Sequence, residues 1–411
     1  MGPPPSTTKT TPATFLFAGG GSGGHISPGL AIAERLKERA ANAKVLFVCS
    51  SRAIDGRMLA DAGAEYTSIP ALPPSAHPLG ALRFLRSFAR SRRICRRLLR
   101  QRGVEGVVAL GGFVAAPAVL AARSLAVHVT LLNLDDPPGR ANRWLAGRCA
   151  RVWTAIELPT LPGFAQRVVG LPIRRRALAP GDAADCRRRL GLEEDRPTLF
   201  ITGASQGATS INRFMAAMAE ATSACFADWQ IIHLAGDRDA EPMRRTYAQC
   251  GIRAQVEPFL DEIGLAWGAA DLAVSRAGAS SVAEAAANAV PTLFLPYPYH
   301  RDMHQRNNAR SLAEMEAAVI VEDRIDAAAN VAHVGPALEA LMRDEARRTT
   351  MQQKLLARRP PDAADTIAAL LLGQSPAERA PAAGGSKASP ALSAGPAEAR
   401  KGLTFDAGPR R

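Results

Sequence analysis

The sequence has few aromatic residues, no paired cysteines and no long uncharged apolar run. Aromatic side chains make up 5% of its 411 residues, which disfavours the interleaved stacking residues of a nucleic-acid-binding surface. The six cysteines are scattered without a C-x-x-C pair, so we expect reduced thiols in the cytoplasm and no zinc site. No segment approaches the roughly 20 apolar residues that cross a bilayer, and the N-terminus lacks the order of a signal peptide. Any membrane contact is therefore expected to be peripheral.

Basic residues outnumber acidic residues, and this excess indicates an anionic partner. Lys and Arg number 51 against 38 Asp and Glu, a formal net charge of +13. A nucleotide phosphate, a lipid surface and nucleic acid are all compatible with that charge. The apolar fraction of 47% is enough to fill two cores. Residues 1–12 and 373–411 have almost no large apolar side chains, and we predict that both tails are disordered.

Between the tails, short apolar runs alternate with helical patterns, which predicts an α/β fold with parallel sheets. The predicted strands cover residues 14–18, 44–49, 106–110, 127–133 and 151–155 in a first series, and 197–203, 230–236, 270–276 and 291–297 in a second. A stretch rich in Pro and Arg separates the series near residues 170–195. The sequence thus predicts two Rossmann-like domains, residues 13–172 and 173–372, with a cleft between them.

The first predicted strand is followed by a glycine-rich segment. Gly19, Gly21 and Gly24 satisfy G-x-G-x-x-G before a helix, the context in which this pattern binds a dinucleotide pyrophosphate. The second strand ends without the acidic residue that holds the ribose of NAD, although Ser51 and Arg52 could hold the 2′-phosphate of NADP. An NADP-dependent oxidoreductase is therefore one interpretation.

Two further glycine segments, residues 109–122 and 201–215, also lie between a strand and a helix. Backbone N–H groups at such turns bind phosphate, and Ser205 and Gln206 add side-chain donors. Tight strand-to-helix packing would explain any one of the three segments. Their spread over two domains instead favours a cleft that holds a diphosphate and a second substrate.

Residues 275–308 contain the densest group of polar side chains. Glu284 lies one turn inside a predicted helix, where a carboxylate could accept hydrogen bonds from both hydroxyls of a ribose. Ser281 and Glu284 also fit a helix capping box, and both interpretations stand. The next loop is either a sugar-binding loop or simply polar; it carries His300, Arg301, Asp302, His304, Gln305 and Asn308. Residues 237–239 resemble a D-x-D metal motif but have no third ligand nearby, so no metal site is predicted.

Residues 80–102 form a basic amphipathic segment with nine arginines and no acid. Its apolar residues recur near the helical period; they are Leu82, Leu85, Phe88, Cys95, Leu98 and Leu99. The segment is either a core helix with a solvated arginine face or an attachment site for an anionic membrane. Nucleic acid ranks last because stacking residues are absent here.

Eight short motifs follow one another along the chain. They are "GGGSGGHISPGLAIAERL", "LGGFVAAPAVLAA", "NRWLA", "VGLPIR", "TGASQGATSIN", "EPFLDEI", "SRAGASSVAEAAANAVP" and "HQRNNA". In this order they resemble the motifs of the MurG family, the peptidoglycan N-acetylglucosaminyltransferases, across about residues 13–370. The resemblance implies a GT-B fold, in which two Rossmann-like domains with parallel sheets face a central cleft and the last helix packs back on the N-terminal domain.

The resemblance also implies a reaction and a location. GlcNAc would pass from UDP-GlcNAc to the MurNAc 4-hydroxyl of lipid I, the undecaprenyl-linked acceptor, with inversion at the anomeric carbon, to give lipid II for peptidoglycan synthesis. No cofactor would be required. The enzyme would act as a peripheral protein on the cytoplasmic face of the cell membrane, docked on anionic lipid through residues 80–102, and would bind no nucleic acid.

Carried over by motif position, the resemblance assigns residues to the two substrates. Residues expected to contact the donor are Arg174, Ser205, Gln206, Phe259, Leu260, Ala279, Ser280, Ser281, Glu284, His304 and Gln305. Among them, Glu284 would hold the uridine ribose, and Phe259 with Leu260 would border the uracil. Residues expected on the acceptor and pyrophosphate side are Ser22, Gly23, Gly24, His25, Gly111, Gly112, Phe113 and Asn142. Phe113 stands at the family's usual tyrosine position.

The sequence departs from the family just before "NRWLA". The family typically has His-Glu-Gln-Asn there, whereas residues 132–135 read Leu-Asn-Leu-Asp, so the usual carboxylate is absent. His25 and Asp135 are the candidates for the catalytic base, because imidazole titrates near neutrality and a carboxylate in a dry cleft can have a raised pKa. Alternatives stay open: Asp135 or Asp136 replaces the missing group, the acceptor is another lipid such as diacylglycerol, or the chain is an inactive membrane scaffold.

Overall fold

The computed structural model describes residues 13–20, 24–73, 77–159, 161–203, 208–298, 304–359 and 361–375. The predicted site residues Ser22, Gly23, Ser205 and Gln206 lie outside these ranges, as do residues 1–12 and 376–411 of the two tails. The backbone of His304 begins a helix, but its side chain is also outside the description.

In the first half of the described chain, seven parallel strands form one sheet. The strands are β1 Thr14–Ala18, β2 Lys44–Ser50, β3 Glu65–Ile69, β4 Gly106–Ala109, β5 His128–Asn133, β6 Arg151–Thr154 and β7 Arg167–Val168. Their order across the sheet is β3-β2-β1-β4-β5-β6-β7. The connecting helices are α1 Ile26–Arg39, α2 Ala53–Asp61, α3 Pro78–Gln101, α4 Gly112–Arg123 and α5 Arg140–Ala146.

In the second half of the described chain, six parallel strands form another sheet. The strands are β8 Thr198–Thr202, β9 Gln230–Leu234, β10 Ala254–Glu257, β11 Leu272–Ser275, β12 Thr292–Phe294 and β13 Ala318–Ile320. Their order is β10-β9-β8-β11-β12-β13. The helices are α6 Ala183–Arg189, α7 Thr209–Thr222, α8 Ala240–Gln249, α9 Ile263–Ala269, α10 Ala279–Ala287, α11 His304–Glu314, α12 Ala327–His333, α13 Gly335–Arg343, α14 Glu345–Ala357 and α15 Ala363–Leu371.

The central strands are apolar on both faces because helices cover both sides of each sheet. Every residue of β1 and of β8 is buried, as expected for strands in the middle of a parallel sheet. Side chains alternate between the two faces of a strand, so Phe15 and Phe17 enter one core of the first sheet while Leu16 enters the other. The structure confirms the α/β prediction.

Each sheet reverses its strand order at one point, next to its first strand. In the first sheet the reversal lies between β1 and β4, and in the second it lies between β8 and β11. The loops after the two reversing strands diverge there and leave a crevice at the carboxyl edge, which is where open α/β sheets bind ligands. Each of the three glycine segments begins directly after one of these strands, so the topology starts each segment at the edge of a crevice.

Helix α15 returns from the second half of the chain and packs against α1 in the core of the first sheet. Ile367 and Ala368 are fully buried in that core. Two ion pairs reinforce the packing: Arg35 Nε donates to Asp362 at 2.9 Å, and Arg39 Nε donates to Asp365 at 2.6 Å. The Arg35 side chain is fully buried, so its charge requires this compensation.

Helix α3, which contains the basic segment, changes character along its length. In its C-terminal half, Cys95 and Leu99 are buried one turn apart in the core of the first sheet. In its N-terminal half, Leu79, Leu82 and Leu85 are 64%, 45% and 61% exposed. The core-helix interpretation therefore holds for Cys95 and Leu99 and is wrong for Leu82 and Leu85. Among the described helices, none combines the length and apolar composition that a bilayer span requires.

Candidate active site

The crevice of the first sheet brings His25 and Asp135 together. His25 occupies the N-cap position of α1, and its Nε2 lies 3.9 Å from Asp135 Oδ2. The histidine side chain is 19% exposed and the aspartate 60%, so both can be reached from solvent. His25 makes no side-chain capping bond, and its buried Nδ1 has no hydrogen-bond partner within the described ranges. The imidazole is therefore not committed to capping the helix.

The second glycine segment lies directly against His25. A Cβ on Gly111 would stand 3.2 Å from His25 Nε2 and about as close to the amide of Asn142, and its φ of 113° is one that other residues rarely adopt. Glycine at this position therefore lets the loop after β4 approach the imidazole. Phe113 packs against the core of the first sheet and is partly buried.

A buried pair of asparagines holds the backbone beside Asp135. Asn142 Nδ2 donates to Asn133 Oδ1 at 2.9 Å, and Asn133 Nδ2 donates to the Asp135 carbonyl at 2.7 Å. Asn133 stands where the family's glutamate is usual and is fully buried. Asn142 Oδ1 is buried without a partner in the described ranges. An unsatisfied amide oxygen in a polar crevice is a candidate acceptor for a substrate hydroxyl.

A carboxylate from the helix after β2 lies at the start of the first glycine segment. Ser50 Oγ at the end of β2 donates to Asp55 Oδ2 at 2.5 Å, and Asp55 is fully buried in the first turn of α2. The same oxygen lies against Gly20. The strand end itself has no acid, as predicted, but Asp55 reaches it from the following helix and lies against Gly20.

In the second sheet, Glu284 lies on α10 at the crevice and bonds to a neighbouring helix. The indole Nε1 of Trp267, on α9, donates to Glu284 Oε2 at 3.0 Å. Burial raises the pKa of Glu284 to about 7, although the indole hydrogen bond and the charge of Arg176 both lower it. The N-cap of α10 is Gly278, which places Ser281 inside the helix. The capping-box interpretation of Ser281 and Glu284 is therefore wrong.

The charge of Arg176 acts on Glu284, and α9 packs directly on the backbone that contains Arg176. A Cβ on Gly264 would stand 2.2 Å from the Leu178 carbonyl oxygen, so only glycine permits this approach. Arg176 Nη1 lies 3.9 Å from Asp261 Oδ1, and burial lowers the pKa of Arg176. Sequence reasoning singled out Arg174 rather than Arg176. The structure pairs Arg174 Nε with Glu34 of α1 at 2.9 Å.

The other predicted donor residues that the structure describes, apart from Arg174, follow the carboxyl ends of β10, β11 and β12 in the second sheet. Phe259 is 52% exposed, and Leu260 is partly buried beside the core that contains Trp267. Ala279 and Ser280 form the first turn of α10. Gln305 Oε1 accepts a hydrogen bond from the Tyr297 backbone N–H at 2.9 Å, so the amide nitrogen of Gln305 points away from that N–H.

The Asp-Arg-Asp segment at residues 237–239 is tied into the protein. Asp239 Oδ2 accepts a hydrogen bond from Asn212 Nδ2 at 2.9 Å, and Arg238 Nε donates to Asp239 Oδ1 at 3.0 Å. These bonds anchor the loop after β9 to α7. Within the described ranges, His, Cys, Asp and Glu form no cluster of three that could hold a metal ion.

Comparison with known proteins identifies the family. The N-terminal and C-terminal domain models of glycosyltransferase family 28 match residues 15–154 and 198–367. A protein of Clavibacter sepedonicus is 38% identical over 75% of this chain and 83% of its own length, and one of Leifsonia xyli subsp. xyli is 36% identical over 87% and 97%. Both are named UDP-N-acetylglucosamine–N-acetylmuramyl-(pentapeptide) pyrophosphoryl-undecaprenol N-acetylglucosamine transferase. The chain belongs to the MurG family within glycosyltransferase family 28.

Solved structures agree with this membership. The crystal structure of Acinetobacter baumannii MurG superposes with a TM-score of 0.68 at 25% identity, covering 88% of this chain and 100% of that one. The calicheamicin glycosyltransferase CalG4 is similar in fold, with a TM-score of 0.56 at 16% identity over 88% of this chain. The GT-B fold is thus confirmed. As a family 28 member the chain is a glycosyltransferase, and the oxidoreductase interpretation is wrong.

Proposed function

We propose that this chain transfers GlcNAc from UDP-GlcNAc to the MurNAc 4-hydroxyl of lipid I and so forms lipid II. The observation that carries the proposal is the identity of 36–38% with transferases of that name, extending over 83% and 97% of their lengths. The geometry is compatible with it, since one crevice contains a histidine next to a carboxylate, and in the other the half-buried Glu284 accepts a hydrogen bond from a buried tryptophan.

In the proposed donor complex, the second sheet holds UDP-GlcNAc. The Glu284 carboxylate accepts the ribose hydroxyls, and Phe259 with Leu260 borders the uracil. Helices α7 and α10 begin at this edge of the sheet, and their free N–H groups favour the negative charge of a diphosphate. Such preorganised donors stabilise the charge that develops on UDP as it leaves. Each donor lowers the activation free energy by a few kcal/mol.

In the proposed chemical step, the acceptor oxygen attacks the anomeric carbon on the face opposite UDP. The C–O bond to UDP breaks as the new glycosidic bond forms, which inverts the anomeric centre. His25 Nε2 takes the proton of the attacking hydroxyl, and Asp135 stabilises the imidazolium from 3.9 Å. The buried Asn133 assumes a positioning role at the place of the missing glutamate, because it fixes the backbone of Asp135.

We also propose that no metal ion takes part. In support, Asp239 is engaged with Asn212 and Arg238, and the helix N-termini together with Arg176 offer positive charge for the diphosphate. Addition of EDTA to the transfer assay tests this point: undiminished activity is expected, and loss that Mg²⁺ restores would contradict it.

The reaction itself is tested with radiolabelled donors and defined acceptors. Purified protein is expected to transfer label from UDP-GlcNAc to lipid I, with little transfer from UDP-galactose and little to diacylglycerol. The diacylglycerol arm matters because residues 132–135 depart from the family at the acceptor side. Preferential labelling of diacylglycerol would show that diacylglycerol, and not lipid I, is the acceptor. No transfer from either donor would show that the chain is an inactive scaffold.

For the membrane, we propose that α3 docks the protein on the anionic cytoplasmic face. Its N-terminal half exposes Leu79, Leu82 and Leu85, which suits shallow insertion among lipid headgroups. In the described part of the chain, no ion pair joins an arginine of α3 to a carboxylate. Those charges are therefore free to attract anionic lipid, each worth about 1 kcal/mol near such a surface.

A fourfold neutralised variant tests the docking proposal. Its substitutions are Arg92→Gln, Arg93→Gln, Arg96→Gln and Arg97→Gln. We expect binding to phosphatidylglycerol vesicles to fall at least about 100-fold at low salt, with a smaller difference at high salt where charges are screened. Co-sedimentation measures the binding. The control removes four exposed arginines of the second half; they are Arg238, Arg245, Arg310 and Arg343. Equal binding losses in both variants, or no loss in the first, would contradict docking through α3.

A further inference from the structure

The buried indole of Trp267 is a part of the donor crevice with no role in the reaction described so far. The side chain is fully buried on α9, and its ring meets the Phe200 ring edge-on at 4.9 Å between centroids, with an angle of 84° between the planes. The indole thus packs against a residue of β8. In that orientation its only polar atom points out of the core and donates to Glu284 Oε2 at 3.0 Å.

The hydrogen bond decides how Glu284 faces a ligand. A carboxylate has about four lone-pair sites, and the indole occupies one of them, on Oε2. Oε1 and the remaining site of Oε2 are left for other donors, which matches the two hydroxyls of a ribose. Because an indole N–H can only donate, it accepts no hydrogen bond from those hydroxyls and leaves the carboxylate as their acceptor. It also favours the charged, accepting form of the carboxylate.

Trp267 also connects the two parts of the crevice that face a nucleoside. Helix α9 begins four residues after Phe259, directly beyond the loop that contains Phe259 and Leu260, and Glu284 lies on α10. The indole N–H makes a side-chain hydrogen bond that joins these two helices at the crevice. A displacement of α9 is therefore transmitted to the carboxylate.

We propose that Trp267 is a positioning residue for the donor nucleoside: its indole N–H fixes the Glu284 carboxylate toward the ribose and couples ribose recognition to the loop that borders the base. This inference rests on the proposed function, since it assumes that Glu284 binds the ribose of a uridine nucleotide. Trp267 itself touches neither substrate nor any reacting atom, so its effects are expected in donor binding and not in the chemical step.

The test compares substitutions that remove the N–H with one that keeps a donor. Trp267→Phe removes it together with ring volume, and site-specific β-(3-benzothienyl)alanine at position 267 replaces N–H by sulfur in the same shape. Trp267→Tyr retains a hydroxyl donor. The matched control is Trp229→Phe, a substitution at another buried tryptophan that lies outside the crevice and stacks on Arg348.

We expect UDP binding, measured by calorimetry at pH 7, to weaken about tenfold in the phenylalanine and benzothienyl variants, the effect of losing one hydrogen bond to a charged group. The tyrosine variant recovers part of the loss, and Trp229→Phe stays within about twofold. Since the indole lowers the pKa of Glu284, its removal moves the acidic loss of UDP affinity to higher pH. The kcat at saturating donor stays near the wild-type value.

Two results separate failure of this inference from failure of the proposed function. If wild-type protein binds UDP and transfers GlcNAc while the benzothienyl variant binds UDP with unchanged affinity and unchanged pH dependence, Trp267 has no positioning role. The same conclusion follows if its kcat falls with no change in KM. If wild-type protein neither binds UDP nor uses UDP-GlcNAc, the proposed function is wrong, and the inference falls with it.

Discussion

Glu284→Gln is expected to lower kcat/KM for UDP-GlcNAc about 100-fold, with most of the loss in KM, because it weakens two hydrogen bonds to a charged group. The amide keeps the size of the side chain and can still accept from Trp267. It has one acceptor atom instead of two. Its NH₂ group is a donor and cannot accept a hydrogen bond from a ribose hydroxyl. Initial-rate kinetics with varied donor, together with calorimetric binding of UDP, measure the effect.

The same substitution is expected to stabilise the folded protein at alkaline pH. Burial raises the pKa of Glu284 from its ordinary value of 4.5 to about 7. A raised pKa contributes stability that is complete below pH 4.5 and is lost as the pH rises through 7. Wild-type protein should therefore lose about 1–3 kcal/mol between pH 5 and pH 8 through this group, and the uncharged glutamine loses none of it. Urea unfolding at both pH values measures the difference.

The control for both effects is Glu220→Gln, at an exposed position on α7. It should change neither donor KM nor the dependence of unfolding free energy on pH. If Glu284→Gln binds UDP as tightly as wild type, Glu284 does not hold the ribose. If the two variants show the same pH dependence of stability, the carboxylate is not the buried ionisable group described above.

His25→Ala is expected to reduce kcat by a factor of about 100 to 10,000, the usual range for loss of a general base. UDP binding should be unchanged, because the imidazole lies in the crevice of the first sheet and the donor is proposed to occupy that of the second. Asp135→Asn should cause a smaller loss, since Asp135 acts on the imidazole from 3.9 Å. Single-turnover transfer to a soluble lipid I analogue measures the chemical step.

His128→Ala is the matched control for the His25 substitution. His128 is exposed at the amino end of β5, the opposite edge of the first sheet from the crevice, and its loss should leave kcat unchanged. A large loss in Asp135→Asn with little loss in His25→Ala would transfer the role of base to Asp135. Near wild-type kcat in both variants would contradict the proposed mechanism.

The interior of the fold could be predicted from the sequence, whereas its edges could not. All nine predicted strands are present, and the four strands that were not predicted, β3, β7, β10 and β13, are the outer strands of the two sheets. An interior strand in a parallel sheet is a continuous apolar run, which is easily detected. An edge strand is partly exposed, and β7 has only two residues. Edge strands therefore give little periodic signal.

The site could be predicted only where a residue's neighbours in sequence are also its neighbours in space. Glu284 is marked by the strand, turn and helix around it. Its partner Trp267 lies on another helix, and only the packing of α9 against α10 joins them. Asp55 was missed because it reaches the end of β2 from the next helix. Arg174 caps the 3₁₀ turn Arg175–Ala177 and Arg176 lies inside it. Successive side chains of such a turn point in different directions.

The return of α15 to the first sheet means that the donor half is an insertion within the other half. The polypeptide passes from one half to the other twice, near residues 169–181 and again near 358–362. Motion between the halves must bend both connections together, which restricts it more than a single linker would. It also means that residues 13–172, cut out alone, would leave uncovered the apolar surface that Ala364, Ile367 and Ala368 bury.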